Sequence, residues 1–568
     1  MKRIVLLAFV LVLLSTAMVT GLVKPVVAEE TIYIKSDGSV EGTDKIQRDG
    51  NVYTFTDDIF GSIVVERNNI VVDGAGYTLQ GTGSGTGIYL SYRSNVTIKN
   101  IEIKAFTSGI ELARSLNNII SGNNIEENLY GIYVGDSSNH NRISGNNITS
   151  NTNGIDQMES SNYNSISGNN IESNTGGIGL SGCSNNIISE NNVIANTAFG
   201  IVLSASSNNS VCGNNVTNNG DGIHLTASSN NVLRNNSMDN NKNNFGIAWG
   251  YSPSITICVN VVDTSNTVDD KPIYYWINKR DKTVPSDAGY VALVDCTGIT
   301  VQKLNLAGNS QGVLLVSTEN SRITKNNITN NRIGIVLYDS SNNNVRGNNI
   351  TNNAYGIYFR EASNNNIYNN NFVNNEKGVY DVAGAWPAPD VALSINIWNN
   401  SYPSGGNYWS DYEARYSNAT ELDGSGIWDT PYVINEKNQD NYPLMNPIVI
   451  PETQQSELSP TWIVTAIVII AVVGATLLFY FRKIRKTTAK DEKQQDSCRY
   501  SCMHAFFTKM VASGPTLSFH FSNIWPEVCA RARYKTSSKV KLEDLIKKYK
   551  PSSEVKLKDV QKEEAQTA

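Results

Sequence analysis

The sequence predicts an all-β protein, a right-handed parallel β-helix built as a solenoid of 22–23-residue coils, with one C-terminal transmembrane helix. Three observations predict it. Glycine followed by Ile or Val recurs at Gly87, Gly109, Gly131, Gly154, Gly177, Gly200, Gly222 and Gly246, and again at Gly312, Gly334, Gly356 and Gly378. Within each unit apolar and polar residues alternate over short stretches, which is the period of a strand. Near the C-terminus a single long run, 461–481, carries no charged side chain.

Taken in order, residues 1–28 read as a signal peptide. Lys2 and Arg3 precede an apolar run, and Val26-Val27-Ala28 forms a small-residue cleavage site; an uncleaved anchor is the alternative. Residues 29–86 contain the strand-like pieces TIYIK, NVYTFT and SIVVE and are expected to form the N-terminal cap and first coils, since an open coil end exposes unpaired edge groups. Residues 87–259 are β-helix repeats. No single coil buries its own apolar face, so the stack must do it. Asn95, Asn117, Asn139, Asn162, Asn185, Asn208, Asn230, Asn320, Asn342 and Asn364 each stand eight residues after a repeat position. Asparagine tolerates the left-handed backbone of a sharp corner, and amides about 4.8 Å apart can bond as a ladder.

The period breaks at 260–288, which reads as an excursion from the coil wall with PIYYWI as a strand; repeats resume over 289–378. Residues 379–448, rich in Trp and Tyr, are expected to cap the stack, with Trp398, Tyr408, Trp409, Tyr412, Trp428 and Tyr432 packing the coil end. A polar stalk at 449–460 leads to the apolar span 461–481, long enough to cross a hydrocarbon core. Arg482, Lys483, Arg485 and Lys486 follow it and mark the cytoplasmic side, so the expected location is the cell membrane, single-pass, with the β-helix outside and the tail 482–568 inside.

Charge agrees with this division. Residues 482–568 carry a net +9 and residues 29–460 a net −18. Nucleic acid is therefore excluded as a partner of the exterior part, whereas divalent cations and neutral or cationic glycans suit it. The seven cysteines are too few for a disulfide scaffold; Cys212 and Cys258, two coils apart in one column, are expected as free thiols.

Two positions after each repeat glycine the side chain points outward, giving the column Tyr89, Glu111, Tyr133, Asp156, Gly179, Val202, His224. Asp136 and Glu159 lie beside it in adjacent coils. Glu111, Tyr133, Asp136, Asp156 and Glu159 thus form the candidate ligand-binding face. Glu111 and Asp156 are two coils, roughly 10 Å, apart, near the separation of about 6.5–9.5 Å that inverting glycosidases use. No Gly-His-Gly stands in the sequence, and no catalytic residue is assigned. Asp423, Ser425 and Asp429 place oxygen ligands in one loop as a candidate Ca²⁺ site. Sequons at Asn95, Asn147, Asn208, Asn215, Asn235, Asn327, Asn349, Asn399 and Asn418 are candidates for glycosylation.

The Gly-Ile…Ser-x-Asn-x-Ile…Asn-Asn-Ile coils resemble the NosD-type β-helix of the pectin-lyase-like group. The opening VERNNIVVDGAGYTLQG and the closing GNYWSDY…DGSGIWDTPYVI…DNYPLM resemble archaeal cell-surface members. The resemblance covers about residues 30–448. It implies the β-helix fold and, through the NosD protein itself, assistance in assembling the copper site of nitrous oxide reductase. Copper favours imidazole, thiolate and thioether ligands, and the exterior part holds only His140, His224, Met158, Met238 and Met445 of the His and Met type. The expected function is a membrane-anchored surface protein that binds glycans or serves as a structural element. A carbohydrate-active enzyme and a copper-handling maturation factor are the alternatives.

Overall fold

The computed structural model describes residues 30–248, 255–383 and 390–450. The expected signal peptide, the stalk from 451 onward, the apolar span 461–481 and the basic tail lie outside these residues. Among the described residues no helix is long and apolar enough to cross a membrane.

The repeat folds as a right-handed parallel β-solenoid. One wall is made of the longer strands that contain the repeat glycines, such as Ser108–Ala113, Tyr130–Gly135, Asn153–Gln157 and Gly176–Ser181. These pair in parallel, coil on coil, with Ile110, Ile132, Ile155 and Ile178 in register. Two further walls consist of three-residue strands, for example Arg142–Ser144 and Asn147–Thr149. Ile143 stacks on Ile166, and Ile148 on Ile171. All of these side chains are fully buried, and each contributes about 1.5–3 kcal/mol.

The repeat glycines have a steric cause. A Cβ on Gly131 would lie 2.6 Å from the Gly154 carbonyl oxygen and 2.9 Å from Ile148 Cγ2. The backbone of one coil presses so closely on the next that only hydrogen fits.

The corner asparagines differ in detail from expectation. Asn95, Asn117, Asn185, Asn208 and Asn230 do take left-handed backbone, but in the coils of Asn139 and Asn162 that role falls to His140 and Tyr163, one residue later. The continuous amide ladders run elsewhere, through buried asparagines. One passes along Asn123, Asn146, Asn169, Asn191, Asn214, Asn236 and Asn266, with Nδ2-to-Oδ1 bonds of 2.8–3.0 Å. A second follows Asn128, Asn151, Asn174, Asn196, Asn219 and Asn241. A third begins Asn118, Asn141, Asn164. In each, Oδ1 also accepts a backbone N–H of the coil before and Nδ2 also donates to a carbonyl. Inside the wall such an amide replaces water for the turning backbone, whereas the expected column sits where water can do that work.

The interrupted stretch 260–288 joins two solenoids. Val261–Val262 and Thr267–Val268 still belong to the first, pairing with the strands at 232–234 and 237–239. Lys271–Ile277 then turns back antiparallel and opens the second, stacking in parallel under Tyr290–Val294. Coils continue through Gln311–Val316, Ile333–Tyr338, Tyr355–Arg360 and Lys377–Asp381. Two cores result. The second holds Val313, Leu315, Ile335 and Leu337, while their strand neighbours Leu314, Val316, Val336 and Tyr338, pointing outward, join the core of the first solenoid. The outer face of the second solenoid's long wall therefore closes the end of the first, with Phe245 edge-on to Tyr290 at 5.0 Å.

At the far end Trp398, Trp409, Tyr412 and Tyr432 are buried. Phe372, Trp409 and Tyr432 stack at 4.3 and 4.1 Å and continue the apolar column past the last coil. The ladder Asn348–Asn370–Asn407 ends on the buried carboxylate of Asp440, which also accepts from Trp409 Nε1 at 3.1 Å. Burial pushes Asp440 up to about 6, against the pull of these donors.

Candidate functional site

The outward column lies where the alternation places it. Glu111 pairs in register with Tyr133, Tyr133 with Asp156, and Asp156 with Gly179. Glu111 accepts from Thr86 Oγ1 at 2.8 Å. Tyr133 lies flat toward Gly135, where a Cβ would come 2.7 Å from the ring, and Tyr130 meets it edge-on at 5.5 Å. Asp136 faces Arg114 at 3.7 Å, and its backbone N–H donates to Glu159 Oε2 at 3.2 Å. Burial pushes the Tyr133 phenol up to about 12, and Glu159, Asp156, Glu111 and Asp136 all add to the shift. Glu111, Asp136, Asp156 and Glu159 thus share one face with Tyr133.

Asp156 is the exception to the solvated character of the face. It is only 7% exposed, and its one side-chain donor is Asn153 Nδ2 at 3.4 Å. Desolvation pushes it up to about 6. The cause lies in the next two coils. Gly176 and Gly179 leave the outer surface of one strand bare, and the Phe199 ring fills the space: a Cβ on Gly176 would stand 2.4 Å from Phe199 Cζ. A Cβ on Gly179 would stand 3.2 Å from Asp156 Oδ1 and 3.9 Å from Phe199 Cε2. The carboxylate therefore sits beside an aromatic ring on naked backbone. Phe199 was not among the residues named from the sequence. Its signal is its place immediately before a repeat glycine, the place Tyr130 and Tyr355 also hold. An open groove of about 620 Å³ follows the corner leading into these strands, lined by Phe106, Leu129, Thr152, Thr175 and Thr197.

The other candidates are dispersed. Asp423 accepts from Tyr402, and Asp429 from Thr420 Oγ1 at 2.7 Å and Thr430 Oγ1 at 2.9 Å. These hydrogen bonds hold both exposed carboxyls below their ordinary range. Among the described residues no three His, Cys, Asp or Glu side chains gather as a metal site. Four sequon asparagines, Asn147, Asn215, Asn327 and Asn349, engage their amides in ladders on the outer surface at 2.7–3.0 Å. Asn95, Asn208 and Asn235 occupy left-handed corners, and Asn399 accepts from the Ser401 N–H; Asn418 is exposed. Cys212 and Cys258 are free thiols, but they do not share a column: Cys258 lies buried in the one-turn helix Ile255–Cys258.

Comparison with known proteins bears on the fold and the family. Comparison with curated proteins finds no match. Among solved structures, the alginate lyase of Paenibacillus sp. str. FPU-7 aligns at 16% identity and TM-score 0.29, over 37% of this chain and 88% of that one. The A-module of a mannuronan C-5 epimerase from Azotobacter vinelandii aligns at 14% identity and TM-score 0.24, over 59% and 90%. The catalytic domain of a GH87 α-1,3-glucanase aligns at 15% identity and TM-score 0.27, over 63% of each chain. The family model described as periplasmic copper-binding protein (NosD) matches residues 62–255, 136–290 and 277–414. Those matches span both solenoids and more than half of the sequence, and the chain belongs to the NosD family.

Proposed function

We propose that the long-strand face of the first solenoid, centred on Tyr133 and Asp156, binds glycans outside the cell, and that the protein is a membrane-anchored surface binding protein. The observation that carries the reading is the Asp156 carboxyl held dry between Tyr133 and the Phe199 ring. An apolar ring face beside hydrogen-bonding carboxyls suits a sugar, which has an apolar face and a polar rim. The surrounding carboxylates favour neutral or amino sugars over polyuronates. Anchoring rests on the apolar span 461–481 and the basic cluster behind it.

The test is a glycan array with the full-length protein in detergent. Binding to neutral or amino-sugar glycans, weakened at least tenfold by Phe199→Ala and by Asp156→Asn, is the expected outcome. Unchanged binding in both variants would place the site elsewhere.

A second reading, glycan cleavage, is favoured by one observation. A carboxyl raised to about 6 retains a proton for a leaving oxygen near neutral pH. Cleavage products on bound glycans, absent with Asp156→Asn, would turn the binding face into an active site. Copper handling, which the family's description raises, does not fit the residues described. Met238 is sealed in the core, His140 is stacked on Tyr163, and Met158 and His224 stand three coils apart.

A further inference from the structure

The joint between the two solenoids contains two polar atoms that the rest of the fold leaves unanswered. His224 occupies the outward column of the first solenoid, and the next position in that column is Gly246. Ser310, leading into the strand Gln311–Val316 of the second solenoid, sits directly over that glycine. A Cβ on Gly246 would lie 2.3 Å from Ser310 Oγ and 3.1 Å from His224 Nδ1. Ser310 is 1% exposed and His224 9%, and among the described residues neither Ser310 Oγ nor His224 Nδ1 has a hydrogen-bond partner. The surrounding seat is well bonded. Ser310 N donates to the Phe245 carbonyl at 3.0 Å, and Gln311 exchanges hydrogen bonds with both backbone groups of Ile247 at 3.3 and 3.0 Å. Tyr290 OH donates to Gln311 Oε1 at 3.0 Å.

We propose that this joint is an acid-sensitive latch: a proton taken up at His224 loosens the seat of the second solenoid on the first. The charged groups acting on the imidazole are Asp221 on its own strand, 3.8 Å from Nδ1, and Arg332 from the second solenoid. Its strand neighbours, Val202 and Gly246, are uncharged. Asp221 is partly engaged, accepting from Asn243 Nδ2 at 2.7 Å. Burial lowers the affinity of His224 for a proton; Asp221 works against that shift and Arg332 adds to it. When the joint loosens, water reaches the ring and its ordinary affinity returns.

The sign follows. The loosened state takes a proton below about pH 6.5 while the seated state does not, so the loosened fraction grows as pH falls, by at most about tenfold per pH unit. Above that pH both states are neutral and the latch holds. Neither a glycan ligand nor catalysis enters this mechanism, and its failure leaves the proposed function untouched.

Hydrogen exchange of the full-length protein at pH 7.5 and 5.5, corrected for intrinsic rate, tests it. Amides of 243–248 and 310–316 are expected to exchange at least threefold faster at pH 5.5, while those of the mid-stack strand Asn170–Glu172 do not. His224→Gln should abolish the difference. Arg332→Gln, an exposed substitution that keeps the core intact, should reduce it, because it lets the seated imidazole hold a proton more easily. No acceleration in the wild-type protein, or equal acceleration in all three proteins, overturns the proposal. Should His224→Gln fail to fold, an Arg332→Gln response identical to wild type does so by itself.

Discussion

Adjacent asparagines in the Gly-Asn-Asn that recurs in several coils do different work. Asn169 is buried and fully bonded within a ladder, whereas Asn170 lies on the outer surface, donating to Asn147 at 2.8 Å. Removing the first leaves a backbone N–H and a carbonyl inside the wall with no partner, a cost of about 1–3 kcal/mol per group. Asn169→Ala should therefore lower stability by about 2–4 kcal/mol, and Asn170→Ala by less than about 1 kcal/mol because water replaces its partner. Urea unfolding of the two variants measures the difference. Equal costs would mean that the ladder's burial has no energetic consequence. Sequence periodicity located the Asn-rich corners but chose the wrong column for the ladder, because at a corner the left-handed residue faces outward and the asparagine after it faces inward, as at exposed Asn117 and buried Asn118, a distinction spacing alone does not resolve. The carboxyl face was legible because strand alternation fixes which side chains point outward. The buried state of Asp156 was not, since it arises from two glycines and a phenylalanine in the following coils.

At the scale of the element, the walls of the two solenoids obey different rules. In the first, outward positions alternate with inward ones and are mostly half-exposed, as at Val202, with Asp156 and His224 the buried exceptions. In the second, Gln311–Val316 is buried at every position. An unbroken apolar run such as Val-Leu-Leu-Val is the mark of a strand covered on both faces, and Tyr290–Val294 repeats it. Those runs already announced a second packing face, but counting glycine spacing treats both solenoids as one stack and overlooks it. Leu314→Ala should consequently cost about 2–5 kcal/mol, as for a core residue, although its side chain points outward from its own coil. Val202→Ala, at the equivalent outward place, should cost less than about 1 kcal/mol. Thermal or urea unfolding of the pair decides it, and a cheap Leu314→Ala would remove the reason for placing the second wall against the first core.

For the whole molecule, a stack of coils makes each buried charge a global quantity, because unfolding one coil exposes the edges of its neighbours. Asp156 is raised from 3.8 to about 6 in the folded protein. A carboxyl with a raised folded value binds its proton more readily folded than unfolded, so its contribution is greatest at low pH. Stability is lost as pH rises from about 4 through about 6 and then stays level. The loss amounts to something on the order of 2–3 kcal/mol. Asp440 adds a slope of the same sign, and His224 one of the opposite sign, since its folded value is lowered. The wild-type profile alone therefore mixes these three groups with others, among them Asp423 and Asp429, whose lowered values slope against that of Asp156, and the informative quantity is a difference between proteins. Asp156→Asn cannot titrate at this position. Its stability relative to wild type should rise by on the order of 2 kcal/mol between pH 4 and pH 7, with the change centred between those limits. Urea unfolding of the two proteins across that range measures it. A difference independent of pH would show that water reaches the Asp156 carboxyl, and would remove the dry carboxyl on which the glycan-binding reading rests.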